Sequence, residues 1–143
     1  MLSCAGVCAG AQPFFAALLH SVFPQKTVVI VTDGLKSQES FQQDLETWLG
    51  FTPLFYPSWD VLPHEGKLPH ADTISDRLQT LVALSNQPTS AAQSPIIVAS
   101  LPALLQKTFP AYELRKRTRL LARGDKTNPL DLIEWLEAQG YEP

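Results

Sequence analysis

Cysteine is scarce in this chain: Cys4 and Cys8 are the only two among 143 residues. With no second pair to complete a ligand set, they support neither a zinc site nor a disulfide framework. The expectation is two small buried thiols in a reducing cytosol. Charge is thin as well, at 17% with a net value of −3, which excludes a protein whose whole surface binds nucleic acid. No apolar run is long enough to span a membrane. Residues 1 to 23 are apolar, but no positive charge precedes Lys26, and Gln12, Pro13 and His20 interrupt the run, so a signal peptide is not expected. What remains is a soluble, cytoplasmic, globular piece without membrane association, long enough to bury one core and begin another.

A further absence is chemical. The stretch from Gly6 to Pro13, GVCAGAQP, leads into FFAALLHSVF, where Phe14, Leu18 and Val22 recur at helical spacing. A glycine-rich turn feeding a helix is where a nucleotide phosphate sits, because the helix start offers free amides and a partial positive charge. Against the pattern G-x-x-x-x-G-K-[ST], Gly6 fits the first glycine and Gly10 adds to the turn. Ala11, however, replaces the second glycine, Gln12 the lysine and Pro13 the hydroxyl residue. Gln12 brings no charge to the outer phosphates, and Pro13 offers magnesium no oxygen and removes an amide donor. Pro13 does suit a first helical turn. The loop is expected to fold well and bind no cofactor.

What is present is an alternation of strands and helices. Thr27 to Thr32 is a continuous β-branched run, expected to be a parallel strand covered on both faces and closed by Asp33-Gly34. A helix over Gln38 to Leu49 places Phe41, Leu45, Trp48 and Leu49 on one face and stops at Gly50. Leu54 to Tyr56 and Pro95 to Ala99 read as further strands. Ser100 is expected to cap a helix over Leu101 to Thr108, and Gln87 to Ser94 is a polar connector. The alternation implies α/β architecture, a parallel sheet with right-handed crossovers. His20 is expected at the edge of the core.

Between Tyr56 and a helix over Thr73 to Leu84 lies a long loop stiffened by Pro57, Pro63 and Pro69. Trp59 can bury a ring there, and Asp72 or Thr73 can cap the helix. Spacing puts Ile74, Leu78, Leu81 and Val82 inside and Asp76, Arg77 and Gln79 outside. His64 and His70 lie near Asp60, Glu65 and Asp72, but the spacing fits no metal-ligand motif and no nucleophile sits on a recognisable elbow. Neither a metal site nor a catalytic residue is expected, and His70 beside Pro69 is assigned a structural role.

Beyond Pro110 the composition turns basic: Arg115, Lys116, Arg117, Arg119, Arg123 and Lys126 are six of the eleven cations. This run suits either a solvated linker or contact with a phosphate backbone or partner, with Tyr112 available to stack. Arg117 to Ala122 reads as a strand. Asn128-Pro129-x-Asp131 then opens a helix that buries Leu132, Trp135 and Leu136 and ends at Gly140.

The ordered set Trp59-Asp60-x-Leu62-Pro63, then Pro69-His70, then Ile74-Ser75-x-Arg77-Leu78, resembles the N-terminal region of the bacterial transcription-repair coupling factor (Mfd) family, where a domain resembles the excision-repair protein UvrB. The similarity runs from Gly6 to Tyr141. It implies a RecA-like (P-loop NTPase-like) three-layer domain over residues 1–110 with a degenerate phosphate loop. The start of a second, UvrA-interacting α+β domain would follow over 111–143. The parent would be an ATP- and magnesium-dependent DNA translocase that displaces stalled RNA polymerase and recruits UvrA for excision repair. On that resemblance the motor lies outside this chain, which becomes a non-enzymatic scaffold with Trp59, Asp60, Pro63, Pro69, His70 and Arg77 in structural roles. The alternative is a working UvrB-type domain that binds ATP and DNA.

Overall fold

A computed structural model describes residues 4–62, 64–86 and 93–141. The chain divides into two compact units, Met1–Thr108 and Phe109–Pro143. The first carries α1 (Gln12–Val22), entered through a 3-10 turn at Ala9–Ala11, then β1 (Val28–Thr32), α2 (Leu35–Leu49), β2 (Leu54–Tyr56), α3 (Ala71–Ser85), β3 (Ile96–Ser100) and α4 (Leu101–Leu105). The second carries α5 (Ala111–Arg117) and α6 (Pro129–Ala138).

The three strands form a parallel sheet in the order β1-β3-β2, with Ile30 opposite Val98 and Phe55 also opposite Val98 on the other side. β3 is central, and all five of its residues are buried, as its unbroken IIVAS run requires. On one face Ile96 and Val98 pack with Ala16 of α1 and Leu45 of α2. On the other, Ile97 and Ala99 pack with Tyr56 and Ala103 of α4, joined by Leu81 of α3. α2 ends at Gly50, whose φ of 71° lies in the left-handed region that favours glycine.

Several expectations need correcting. β1 is an edge strand covered on one face only: Val29 and Val31 stay half exposed, because the second layer of helices stops at β3. Trp48 is 59% exposed and meets Phe14 edge-on at a centroid distance of 5.0 Å, while Leu45 occupies the core beneath. Cys4 and Cys8 are exposed rather than buried. The stretch from Arg117 to Ala122 is no strand, since α5 absorbs Arg117 and the remainder has no ladder partner among the described residues. α3 begins two residues early, its N-cap is His70, and no side chain caps it. Ser100 precedes α4 without a cap bond, and α4 ends at Leu105, short of Thr108. Most of the polar connector, 87–92, and Pro63 lie outside the described residues.

His20 sits deeper than an edge residue. It is 2% exposed, and its Nε2–H donates to the Ser94 carbonyl at 2.8 Å while Nδ1 accepts from the Gln93 amide at 3.3 Å. The ring thereby ties α1 to the residues entering β3.

Candidate functional site

Parallel sheets place their ligand crevice beyond the carboxyl ends of the strands. A cleft of about 490 Å³ opens there, at the end of β1, walled by Gln12 and Pro13 of α1, by Thr32 and Asp33, and by Ser37 and Asp44 of α2. Gly6 has a φ of 88°, so the preceding turn does use a glycine-only conformation. The Gln12 amide folds back to donate to the Val7 carbonyl at 3.3 Å. Asp33 accepts a hydrogen bond from the Ser37 side chain, which holds its carboxyl below the usual carboxylate range and therefore ionised at neutral pH. Among the described residues lining the cleft there are two carboxylates and no lysine or arginine.

The loop between β2 and α3 is organised around Arg77. The sequence pattern puts this residue outside, yet it is 1% exposed. Its guanidinium is sandwiched between the rings of Tyr56 and Trp59, 4.3 and 4.2 Å from their centroids. One terminal nitrogen donates to the Pro57 carbonyl at 2.6 Å and to Gln106 Oε1 at 3.3 Å, and the other donates to the Tyr56 hydroxyl at 2.8 Å. Desolvation lowers its pKa from the usual arginine value, with the Tyr56 side chain pulling the other way. No carboxylate contacts it among the described residues, so two π faces and neutral oxygens carry the charge.

Gln106 extends this anchor by accepting the Trp59 backbone N–H at 2.7 Å. Further along, both carboxylate oxygens of Asp60 accept the His70 backbone N–H, at 3.2 and 3.1 Å, and close the loop on itself. The His70 ring lies 3.4 Å from Asp72 in an exposed pair. His64 is exposed too, and no group of three potential metal ligands occurs among the described residues. The described part of the loop is thus held by Arg77, Gln106 and the Asp60–His70 closure.

In the second unit, α5 exposes Arg115, Lys116 and Arg117 and buries Leu114, and Arg119 follows on an exposed, irregular stretch. The start of α6 is built as its sequence predicts: the Asn128 side chain accepts from Leu130 N and donates to Asp131. Trp135 is only half-buried and shares a cleft of about 420 Å³ with Tyr112, Lys116 and Arg117.

No family model matches the chain. The transcription-repair-coupling factor of Mycobacterium tuberculosis is 32% identical to it over 110 residues, covering 75% of this chain. That of Haemophilus influenzae is 28% identical over 117 residues, covering 82%. The Escherichia coli protein of the same name is 24% identical over 114 residues, covering 80%. The chain belongs to the transcription-repair-coupling factor family. It matches about a tenth of the length of these relatives.

In this coupling-factor segment the motif residues do not act alike. Trp59 and Arg77 meet in one cluster and Asp60 and His70 in a second, with Pro69 just before it in the chain. Gln106 joins the first cluster from beyond β3, a place the motif does not reach. Its only sequence signal is an amide just past a short helix, too common to single out. Trp135, expected in the core, is half-buried and faces a basic helix, which spacing along α6 alone does not reveal. No helix among the described residues is long and apolar enough to cross a membrane.

Proposed function

We propose that this segment is a non-catalytic scaffold and interaction module of a transcription-repair coupling factor, built on a RecA-like, UvrB-like domain whose phosphate loop has lost its chemistry. The observation that carries the reading is the cleft at the end of β1. Where a triphosphate needs a lysine, a hydroxyl for magnesium and free helix amides, the wall offers Gln12, Pro13 and the ionised Asp33. Two carboxylates facing an anion oppose its entry.

On this reading the complete protein spends ATP and magnesium to translocate on DNA and displace RNA polymerase through parts beyond this segment. Residues 111–143 begin the region that meets UvrA. Calorimetric titration of the segment with ATP and magnesium tests the first half: no heat of binding at micromolar ATP is the expected result. Micromolar binding would favour an active UvrB-type domain instead. A pull-down with UvrA, using this chain and one extended towards the full length of its relatives, tests the second half. Capture is expected mainly with the longer chain.

A further inference from the structure

The second unit separates its charges. Between positions 115 and 126 six cations stand against one acid, Asp125, whose carboxylate is already engaged with the Ala122 backbone N–H at 2.7 Å. Three of those cations, Arg115, Lys116 and Arg117, fall within the last turn of α5, and two of them, Lys116 and Arg117, open onto the cleft that α5 forms with α6. The same cleft is lined by two aromatic side chains from different helices, Tyr112 and Trp135. Tyr112 is 70% exposed, a large cost in unburied apolar area for a residue with a purely structural role. Its hydroxyl donates to Glu113 Oε1 at 3.1 Å, which fixes the ring at the cleft rim.

Aromatic faces beside exposed cations in a cleft of this size suit a flat, anionic ligand better than a purely acidic one. Nucleobases stack on such rings whatever their identity, while phosphates meet the lysine and arginine. We infer that the α5–α6 cleft binds single-stranded nucleic acid, with a base stacked against Tyr112 or Trp135 and the backbone held by Lys116 and Arg117. Glu113 is the one acid among the described lining residues, and the two lining cations set the footprint at about two phosphates. The inference rests on the second unit alone and is independent of whether the β1 cleft binds ATP.

The test is fluorescence anisotropy of the full chain with a labelled oligothymidylate and with an abasic strand of equal length. Two phosphate contacts give a logarithmic salt slope of about −1.4, so raising salt from about 50 to 200 mM weakens binding about sevenfold. The abasic strand binds at least about fivefold more weakly, and Tyr112→Ala with Trp135→Leu removes that difference. Lys116→Gln with Arg117→Gln reduces affinity for both strands alike. Because Trp135 contributes packing, the exposed Tyr112→Ala variant is also measured alone, with its circular dichroism as a folding control. The inference is overturned if the oligothymidylate fails to bind at low salt, if the abasic strand binds equally well, or if polyglutamate competes as strongly as the oligonucleotide. The last result would make the cleft a dock for an acidic protein.

Discussion

Two loops lead into helices of the same sheet and are built in opposite ways. The turn into α1 keeps its shape with one left-handed glycine and one exposed 3.3 Å side-chain bond from Gln12. The loop into α3 is fixed by a buried guanidinium between two rings, by Gln106 from beyond β3, and by Asp60 closing on His70. Residues with reactive potential are concentrated in the second loop, yet Asp60 is engaged with the His70 backbone and Trp59 with Arg77 and Gln106. The first loop has the geometry of a ligand site with little holding it.

The largest expected effect comes from removing the anchor. Arg77→Ala leaves Pro57 O, the Tyr56 hydroxyl and one contact of Gln106 without their donor and opens a void between two rings. The loss of stability should exceed about 3 kcal/mol in urea unfolding. A loss below about 1 kcal/mol would show that the loop holds without it.

The next comparison sets one glutamine against another. Gln106→Ala removes the acceptor for a part-buried backbone N–H and a cation, and should cost about 1–3 kcal/mol. Gln12→Ala removes an exposed bond and should cost less than about 0.5 kcal/mol. Equal costs would erase the contrast between the two loops.

The smallest effect is electrostatic and depends on pH. Asp76 has its carboxyl pushed above the usual range, first by desolvation and then by repulsion from Asp72. A raised carboxylate pKa favours the folded state fully below the unfolded value, and that stabilisation is lost as pH rises through the folded value. Asp76→Asn should therefore stabilise slightly at pH 7, by no more than about 0.5 kcal/mol given solvent screening. The gain should vanish once acid has protonated the wild-type side chain, and melting curves at both pH values check it.

Much of the sheet was legible because strand patterns answer to local rules. The runs VVIVT and IIVAS stand out by β-branching and LFY by its apolar and aromatic side chains, and the parallel pairing follows from the helices between them. Arg77 was not legible, because a charged residue on a helix is ordinarily placed outside. The features that overrule this are Tyr56, Trp59 and the Pro57 carbonyl, about twenty positions earlier in the chain. Trp48 failed for a different reason: four apolar residues shared a stripe on α2 with room for fewer in the core, and the widest was left at the rim. The supposed strand after α5 failed because strand propensity has no effect without a neighbour to pair with.

The order of the strands also constrains how the chain emerges from a ribosome. β1 and β2 never touch, and each waits for β3, which is the last of the three to be synthesised. Until position 100 has left the exit tunnel, β1 and β2 have no strand to pair with, although α1 and α2 can already pack on β1 and α3 on β2. Truncation just before Ile96 should therefore yield a collapsed, protease-sensitive chain and not a smaller version of the domain.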